Sequence, residues 1–401
     1  MEQLFMRHDD YISSVPTGYI REMMTTIEWD ARLIALRGPK GVGKTTLMQQ
    51  YIRLHYSPED RHVLYCSADT GYFATHTLTE VADQFARKGG THLFIDEVHK
   101  YDGWSTEIKD IYDRHRDLRI VLSGSSLLQL NDGEADLSRR LLFYDIPGLS
   151  FREFLRLETG VIIEAISLKD LLSAPNDFCS LVRSKCHPSE FFHKYLSEGY
   201  YPYYFEGKKV YHALIENMVN YVIDVELTRY RKLDVGNTRA VRALLQVISQ
   251  MVPYDVDIAK LSRSISIARN TTLTYLKHLE EASLLVRLFA DIDSIGDLQK
   301  PDKVYLNNPN LIYALSPIVP EIGTVRETFF VNQIVSAGHR VEYAGYHKGD
   351  FLIDRQITIE VGGPDKSYEQ VEGNEQAYIA ADDVDSAIGH KIPLWAFGFL
   401  Y

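Results

Sequence analysis

A chain of 401 residues, 45% hydrophobic and 24% charged, is too long for one compact core and too ordinary in composition to be disordered or fibrous, so two or three globular domains are expected. Its formal net charge of −12 argues against a protein coated in nucleic acid and leaves room for at most one local basic face. Cys66, Cys179 and Cys186 form no C-x-x-C pair, no basic-then-apolar leader opens the chain, and no apolar run approaches a bilayer span; a cytoplasmic protein with neither disulfide framework, zinc site nor membrane segment is expected.

Residues 1–30 read as a polar lead-in with one amphipathic stretch, 19–29, and no chemistry beyond a conceivable cover for an adenine. A short buried strand at 32–37 and helical apolar spacing over 45–52 flank GPKGVGKT. That stretch, Gly38, Pro39, Lys40, Gly41, Val42, Gly43, Lys44 and Thr45, fits G-x-x-x-x-G-K-[ST], with Thr46 next in line. Its glycines let backbone N–H groups close round phosphate oxygens, while Lys44 and Thr45 meet the outer phosphates and Mg²⁺. A second strand is expected at 62–66 after the turn at 57–60. A helix follows from Thr77, opened by the capping-box pattern Thr77/Glu80 and stopped by Gly89-Gly90.

The third strand, 91–95, delivers Asp96-Glu97 in the Walker B arrangement: the aspartate holds Mg²⁺ through its water shell and the glutamate polarises the water that attacks the γ-phosphate. A solvated acidic turn is the plainer alternative. On a helix over 104–115, Trp104, Ile108, Ile111 and Tyr112 share one face, which makes Trp104 a core residue. The fourth strand, 118–122, ends in SGSS; Ser123 or Ser125 stands where a polar group would read the γ-phosphate, or is a plain turn serine. Arg139-Arg140, just before a fifth strand at 141–146, are candidates for an arginine finger in cis or from a neighbouring subunit, with simple solvation as the alternative. The succession predicts an α/β, doubly wound, parallel-sheet nucleotide-binding core.

At PGLSFREF a second capping box, Ser150/Glu153, opens an amphipathic helix on Phe151, Phe154 and Leu155. Together with GPKGVGKT, IDEVH, Trp104 and SGSS, it resembles a large prokaryotic family of AAA-type ATPases. Members join the ATPase to a winged-helix region and to a C-terminal domain resembling the PD-(D/E)xK nuclease fold. The resemblance implies a P-loop core over 1–150, a helical lid over 151–235, a winged-helix region over 236–315 and a restriction-endonuclease-like α+β domain over 316–401. It also implies ATP/ADP and Mg²⁺ as cofactors, with Lys44 and Thr45 on phosphate and metal, Asp96 on metal, Glu97 activating water and Arg139/Arg140 as the finger candidate.

In the lid, the aromatic turn at 199–205 is expected to serve packing. Helices at 240–251, 258–265 and 269–282 and a strand at 284–288 give the winged-helix succession, whose last helix is expected to expose Arg269, Asn270, Thr272, Tyr275 and Lys277. Residues 231–290 hold nine basic side chains against five acidic ones, which permits a DNA contact; an interdomain lever is the competing use. The C-terminal stretch reads as a helix, strands at 340–343, 350–353 and 357–361, a helix and a final strand at 394–399. Asp350 and Glu360 match the nuclease pattern, but Gly362 stands where its lysine belongs; Glu327 is a third candidate ligand and Lys366 a candidate to fill the lysine's place. A degenerate domain kept for binding or assembly is expected, not a nuclease. Three functions remain: an Mg²⁺-dependent ATPase that moves its winged-helix and C-terminal parts, a DNA-binding or DNA-processing ATPase, and a nucleotide-gated switch with little turnover that engages protein partners or its own copies.

Overall fold

The computed structural model describes residues 1–124, 137, 139–205, 207–231, 233–250, 257–290, 300–345, 349–366 and 376–401. The chain divides into two compact units, Met1–Gly148 and Leu149–Tyr401.

The first unit is built on a five-stranded sheet of β1 (Leu33–Arg37), β2 (Val63–Ser67), β3 (His92–Asp96), β4 (Arg119–Gly124) and β5 (Leu142–Asp145) in the order β2-β3-β4-β1-β5. Every pairing is parallel. β1, β2 and β3 are runs of consecutive buried residues because helices cover both faces of such a sheet. Between strands come the helices Lys44–His55, Leu78–Arg87 and Trp104–Arg114. The second starts on the expected capping box, in which Thr77 Oγ1 accepts from the Glu80 N–H and Glu80 accepts from the Thr77 N–H. Trp104 is buried in the core with Ile108 and Ile111, as its helical spacing predicts.

The lead-in is more structured than expected. Residues Glu2–Ser14 form a helix whose buried stripe is Leu4, His8 and Ile12, an apolar face interrupted by a histidine. That histidine serves the sheet edge, because His8 Nδ1 accepts the backbone N–H of Tyr65 at 2.9 Å and so covers a donor on β2, an edge strand. Burial lowers the His8 pKa to about 4, so the ring stays neutral and able to accept. Residues 16–21 run along the helix Lys44–His55, where Gln50 Nε2 donates to Pro16 O and Tyr19 O.

The second unit begins with the helix Phe151–Thr159, opened by the Ser150/Glu153 capping box, and continues through Leu168–Ser173, Pro175–Lys185 and Pro188–Glu198. The aromatic turn is a packing device. Asn310 Oδ1 accepts from Tyr200 N and Tyr211 Oη, its Nδ2 donates to Tyr195 O and Leu196 O, and Asn308 Nδ2 donates to Tyr201 Oη. Helices Thr238–Gln250, Ile258–Ser264 and Arg269–Glu281 are followed by an antiparallel ribbon, β6 (Leu285–Leu288) with β7 (Lys303–Leu306).

After the helix Ile322–Ser336 comes a mixed sheet of β8 (Val341–Tyr343), β9 (Phe351–Ile353), β10 (Ile357–Gly362), β11 (Ala377–Ala381) and β12 (Lys391–Pro393), in the order β12-β11-β10-β9-β8. Two expectations fail here. β11 and β12 stand between β10 and residue 394, where a helix was expected, and residues Leu394–Phe399 are a fully buried 3₁₀ helix, not the closing strand. That run is apolar on every side, so its sequence carries neither a period of 2 nor one of 3.6.

Candidate functional site

The loop between β1 and the helix Lys44–His55 takes its shape from glycine. Gly38, Gly41 and Gly43 have φ of 150°, 84° and 93°. A Cβ on Gly38 would stand 2.1 Å from Ile146 O, just past the end of β5, so only glycine lets these two backbones meet. Val42 is buried as the loop's anchor. Arg21, in the lead-in that the sequence left without chemistry, donates to Val42 O (3.3 Å), Pro147 O (2.7 Å) and Gly148 O (2.9 Å) and so clamps the loop to the chain after β5. An Arg-Glu pair within the amphipathic stretch 19–29 gave no signal for this role.

Gly43 N-caps the helix without any side-chain cap, which leaves the first-turn N–H groups facing the loop, an arrangement suited to phosphate oxygens. Lys44 is buried, with Nζ donating to Gly38 O (2.9 Å) and Pro39 O (2.8 Å); its charge is thereby centred in the cradle. Pro39, Lys40, Thr45 and Thr46 are half-buried around it, and Gly41 is exposed at the tip.

The metal candidates meet. Thr45 Oγ1 donates to Asp96 Oδ2 at 2.8 Å, joining the P-loop helix to the end of β3. Asp96 is fixed by three further donors: Tyr65 Oη on Oδ2 (2.8 Å), and Ser123 Oγ and the Glu97 N–H on Oδ1. Tyr65 is a residue the sequence did not flag. Its only signal is its place in the buried run of β2, the strand paired with the one that carries Asp96. Burial and the Asp96 charge hold the Tyr65 phenol well above its usual range, so it remains a donor. The donor set of a hydroxyl and a carboxylate at a helix N-terminus fits Mg²⁺ with a nucleoside triphosphate.

Ser123 is fully buried, and its Oγ also accepts the Glu97 N–H at 3.2 Å; it orients the Asp96-Glu97 turn and is not turned outward to a phosphate. Ser125 and Ser126 lie outside the described residues. Glu97 adopts a left-handed φ of 51°, a conformation that non-glycine residues hold where surrounding structure enforces it. Its Oε2 lies 3.5 Å from His99 Nε2 and 3.8 Å from Lys100 Nζ. Arg140 corrects the finger expectation in cis. It precedes β5, whose Leu142 pairs with Ile34 near the start of β1, whereas the P-loop follows the end of β1, and its guanidinium is bonded to Asp113 Oδ1 and Oδ2 at 3.2 and 3.1 Å. Arg140 and the exposed Arg139 are therefore at the opposite end of the sheet from the phosphate cradle.

The second unit holds three further groups of interest. Along Arg269–Glu281, Arg269 and Asn270 are exposed and Lys277 half-buried, but Thr272 and Tyr275 are buried, against expectation. Thr272 Oγ1 is bonded to Ser262 Oγ and Ala268 O inside the helical packing. The face left for a groove is smaller than the helical period suggested. The nuclease-pattern residues do converge. Lys366 Nζ is 2.6 Å from Glu360 Oε1, and its aliphatic chain fills the space a side chain at Gly362 would take, with Cδ 2.9 Å from the position of a Cβ there. Asp350 Oδ2 accepts the Val361 N–H (2.9 Å), and Glu327 accepts from Tyr305 Oη (2.6 Å). Lys303 lies 3.4 Å from Glu327 and 3.6 Å from Asp350. Burial and the Asp350 charge raise Glu327 to about 7 and raise Glu360 as well. A third group, His193, Asp382 and Asp383, has ligand atoms within 4.8 Å of one another, but its carboxylates are taken up by Arg326, His193 and the Asp383 N–H.

Residues 30–155 match the AAA domain family AAA_14. Over 369 residues the chain is 26% identical to the uncharacterized protein MJ1637 of Methanocaldococcus jannaschii, covering 84% of this chain and 77% of that protein. Among solved structures, the Walker-type ATPase PABY2304 of Pyrococcus abyssi is similar over 77% of this chain and 94% of its own, at 10% identity and a TM-score of 0.39. PCH-2 of C. elegans is similar over 40% of this chain and 48% of its own, at 15% identity and a TM-score of 0.25. No described helix is long and apolar enough to cross a membrane.

Proposed function

We propose that this chain, whose residues 30–155 are an AAA-type P-loop ATPase domain, binds ATP with Mg²⁺, hydrolyses it to ADP and phosphate, and passes the nucleotide state to residues 149–401. The observation that carries the reading is the 2.8 Å contact between Thr45 Oγ1 and Asp96 Oδ2, because it unites phosphate cradle and carboxylate in one site. Mg²⁺, held by Thr45 and, through water, by Asp96, would neutralise charge on the phosphate oxygens. The chain's own groups do the rest. Backbone N–H groups and Lys44 fix the phosphates, Tyr65 and Ser123 hold Asp96 in one orientation, and Glu97 accepts a hydrogen bond and a proton from the attacking water. In this reading any finger role of Arg140 is exerted on a neighbouring subunit. Phosphate release and fluorescent-nucleotide binding test it: Lys44→Ala should lose both, and wild-type turnover in Lys44→Ala would sink the assignment.

A DNA-processing ATPase is a second reading, favoured by the Lys366–Glu360 pair, which restores a lysine beside Glu327, Asp350 and Glu360, a set suited to a hard divalent cation. It stands second because Lys303 already neutralises two of those carboxylates and because Thr272 and Tyr275 are buried. Plasmid nicking that requires Mg²⁺ or Mn²⁺ and disappears in Glu360→Gln would raise it to first place; intact plasmid with both metals would dismiss it.

A further inference from the structure

Lys303 is a buried lysine that none of the sequence motifs accounts for, and a buried lysine needs a partner for its charge. It stands on β7, in the antiparallel ribbon, and its ammonium reaches the C-terminal sheet. Glu327 Oε2, on the helix Ile322–Ser336, lies 3.4 Å from Nζ, and Asp350 Oδ1, just before β9, lies 3.6 Å from it. The rings of Tyr343 on β8 and Phe351 on β9 face the same nitrogen, with centroids 5.2 and 5.5 Å away. Two carboxylates and two aromatic faces suit an organic cation, which is attracted by the ring quadrupoles as well as by the charges. A hard divalent ion requires about six oxygen ligands and cannot use the rings.

The carboxylates are engaged and spread apart. Tyr305 Oη donates to Glu327 Oε2 (2.6 Å), the Val361 N–H donates to Asp350 Oδ2 (2.9 Å), and Lys366 Nζ is 2.6 Å from Glu360 Oε1. Oxygens that share a Mg²⁺ or Ca²⁺ ion, each roughly 2.0–2.6 Å from it, stand at most about 5 Å from one another. Among the described residues, the group with three ligand atoms inside 4.8 Å is His193, Asp382 and Asp383, and not Glu327, Asp350 and Glu360. We propose that the Glu327–Asp350 cluster is an ammonium site filled by the chain's own Lys303, which latches the β6–β7 ribbon to the C-terminal sheet and keeps divalent metal out. The proposal is independent of the ATPase reading. It answers the second reading in the negative, because a metal-requiring nuclease cannot seat its ion while Lys303 lies between those oxygens. Taking the ammonium away would leave two like charges facing each other in a largely buried space, with Lys366 committed to Glu360.

The test uses the full chain in four forms: wild type, Asp350→Asn, Lys303→Met and the double variant Lys303→Met/Asp350→Asn. Mn²⁺ is titrated in the absence of nucleotide, with free ion counted by electron paramagnetic resonance, and urea midpoints are measured for each form. Wild type and Asp350→Asn should bind the same number of Mn²⁺ ions. Lys303→Met should lower the urea midpoint by roughly 1 M or more, the effect of stranding buried carboxylates without their cation. The double variant should regain part of that loss, because the carboxylate that the lysine compensates has gone with it. An ion that wild type holds and Asp350→Asn releases overturns the proposal. So does a wild-type midpoint in Lys303→Met, or a double variant no more stable than Lys303→Met. If Lys303→Met does not fold, a folded double variant supports the proposal and an unfolded one overturns it, while the Mn²⁺ count on wild type decides independently.

Discussion

Removing one oxygen from Tyr65 isolates the support of the metal site more cleanly than any change to a ligand. Asp96 Oδ2 accepts from Thr45 and from Tyr65, both at 2.8 Å, and the phenol lies inside the sheet, where phenylalanine has the same shape. Tyr65→Phe therefore deletes the hydrogen bond to the Asp96 carboxylate together with the phenol's hydrogen bond to Gln49. A hydrogen bond to a charged group contributes about 1.5–3 kcal/mol, and loss of an outer-shell partner of a metal ligand costs roughly 10–100-fold in metal affinity. The Mg²⁺ concentration giving half-maximal phosphate release should rise by that factor, while nucleotide binding without metal stays put and the urea midpoint falls modestly. Titrating Mg²⁺ at saturating ATP reads the first effect directly. A half-saturation point within twofold of wild type would refute the view that Tyr65 holds Asp96 for the metal.

Gly38→Ala should be worse than an ordinary loop substitution: its Cβ would lie 2.1 Å from Ile146 O on a backbone at φ 150°, so the loop or the end of β5 must shift, with a loss of at least about 1–3 kcal/mol seen in denaturant and weakened ATP binding in fluorescence titration. His8 makes stability depend on pH. Its pKa falls from 6.5 in the unfolded chain to about 4 in the fold, so the contribution is complete above pH 6.5 and is lost as pH drops towards 4, by about 3 kcal/mol if fully expressed; His8→Gln should flatten that part of the urea-midpoint profile. Arg21→Met should loosen the P-loop from residues 147–148, raising the Kd for ATP several-fold with little effect on the kcat of bound nucleotide, read by binding and turnover together.

Much of the first unit was legible because its signals are local. A strand, a glycine loop and a helix in that order, two capping boxes and an apolar run ending in Asp-Glu each follow from a handful of adjacent residues, and the structure places Lys44, Thr45, Asp96 and Glu97 around one loop. What escaped notice depends on partners far apart in sequence. Arg21 reaches Pro147 and Gly148, His8 reaches Tyr65, and Tyr65 reaches Asp96, and no periodicity encodes such pairs. Arg140 illustrates the converse: its position just before a strand is plain in the sequence, but which end of the sheet it occupies follows from strand pairing. Thr272 looked exposed on the helical period because the helix Ile258–Ser264, whose Ser262 bonds it, was not counted; Tyr275, on the same helix as Thr272, is buried as well. Lys366 lay four residues from the vacant lysine position, and its reach back over Gly362 follows from the turn that joins them.

The central claim is that the P-loop, Asp96 and Glu97 form one hydrolytic site, and a single-turnover experiment with Glu97→Gln tests it most directly. With radiolabelled ATP and Mg²⁺, the variant should bind nucleotide as tightly as wild type, yet release phosphate at least 100-fold more slowly, since general-base assistance contributes about 10²–10⁴ in rate. Equal rates of phosphate release from the two proteins at equal occupancy would contradict the account.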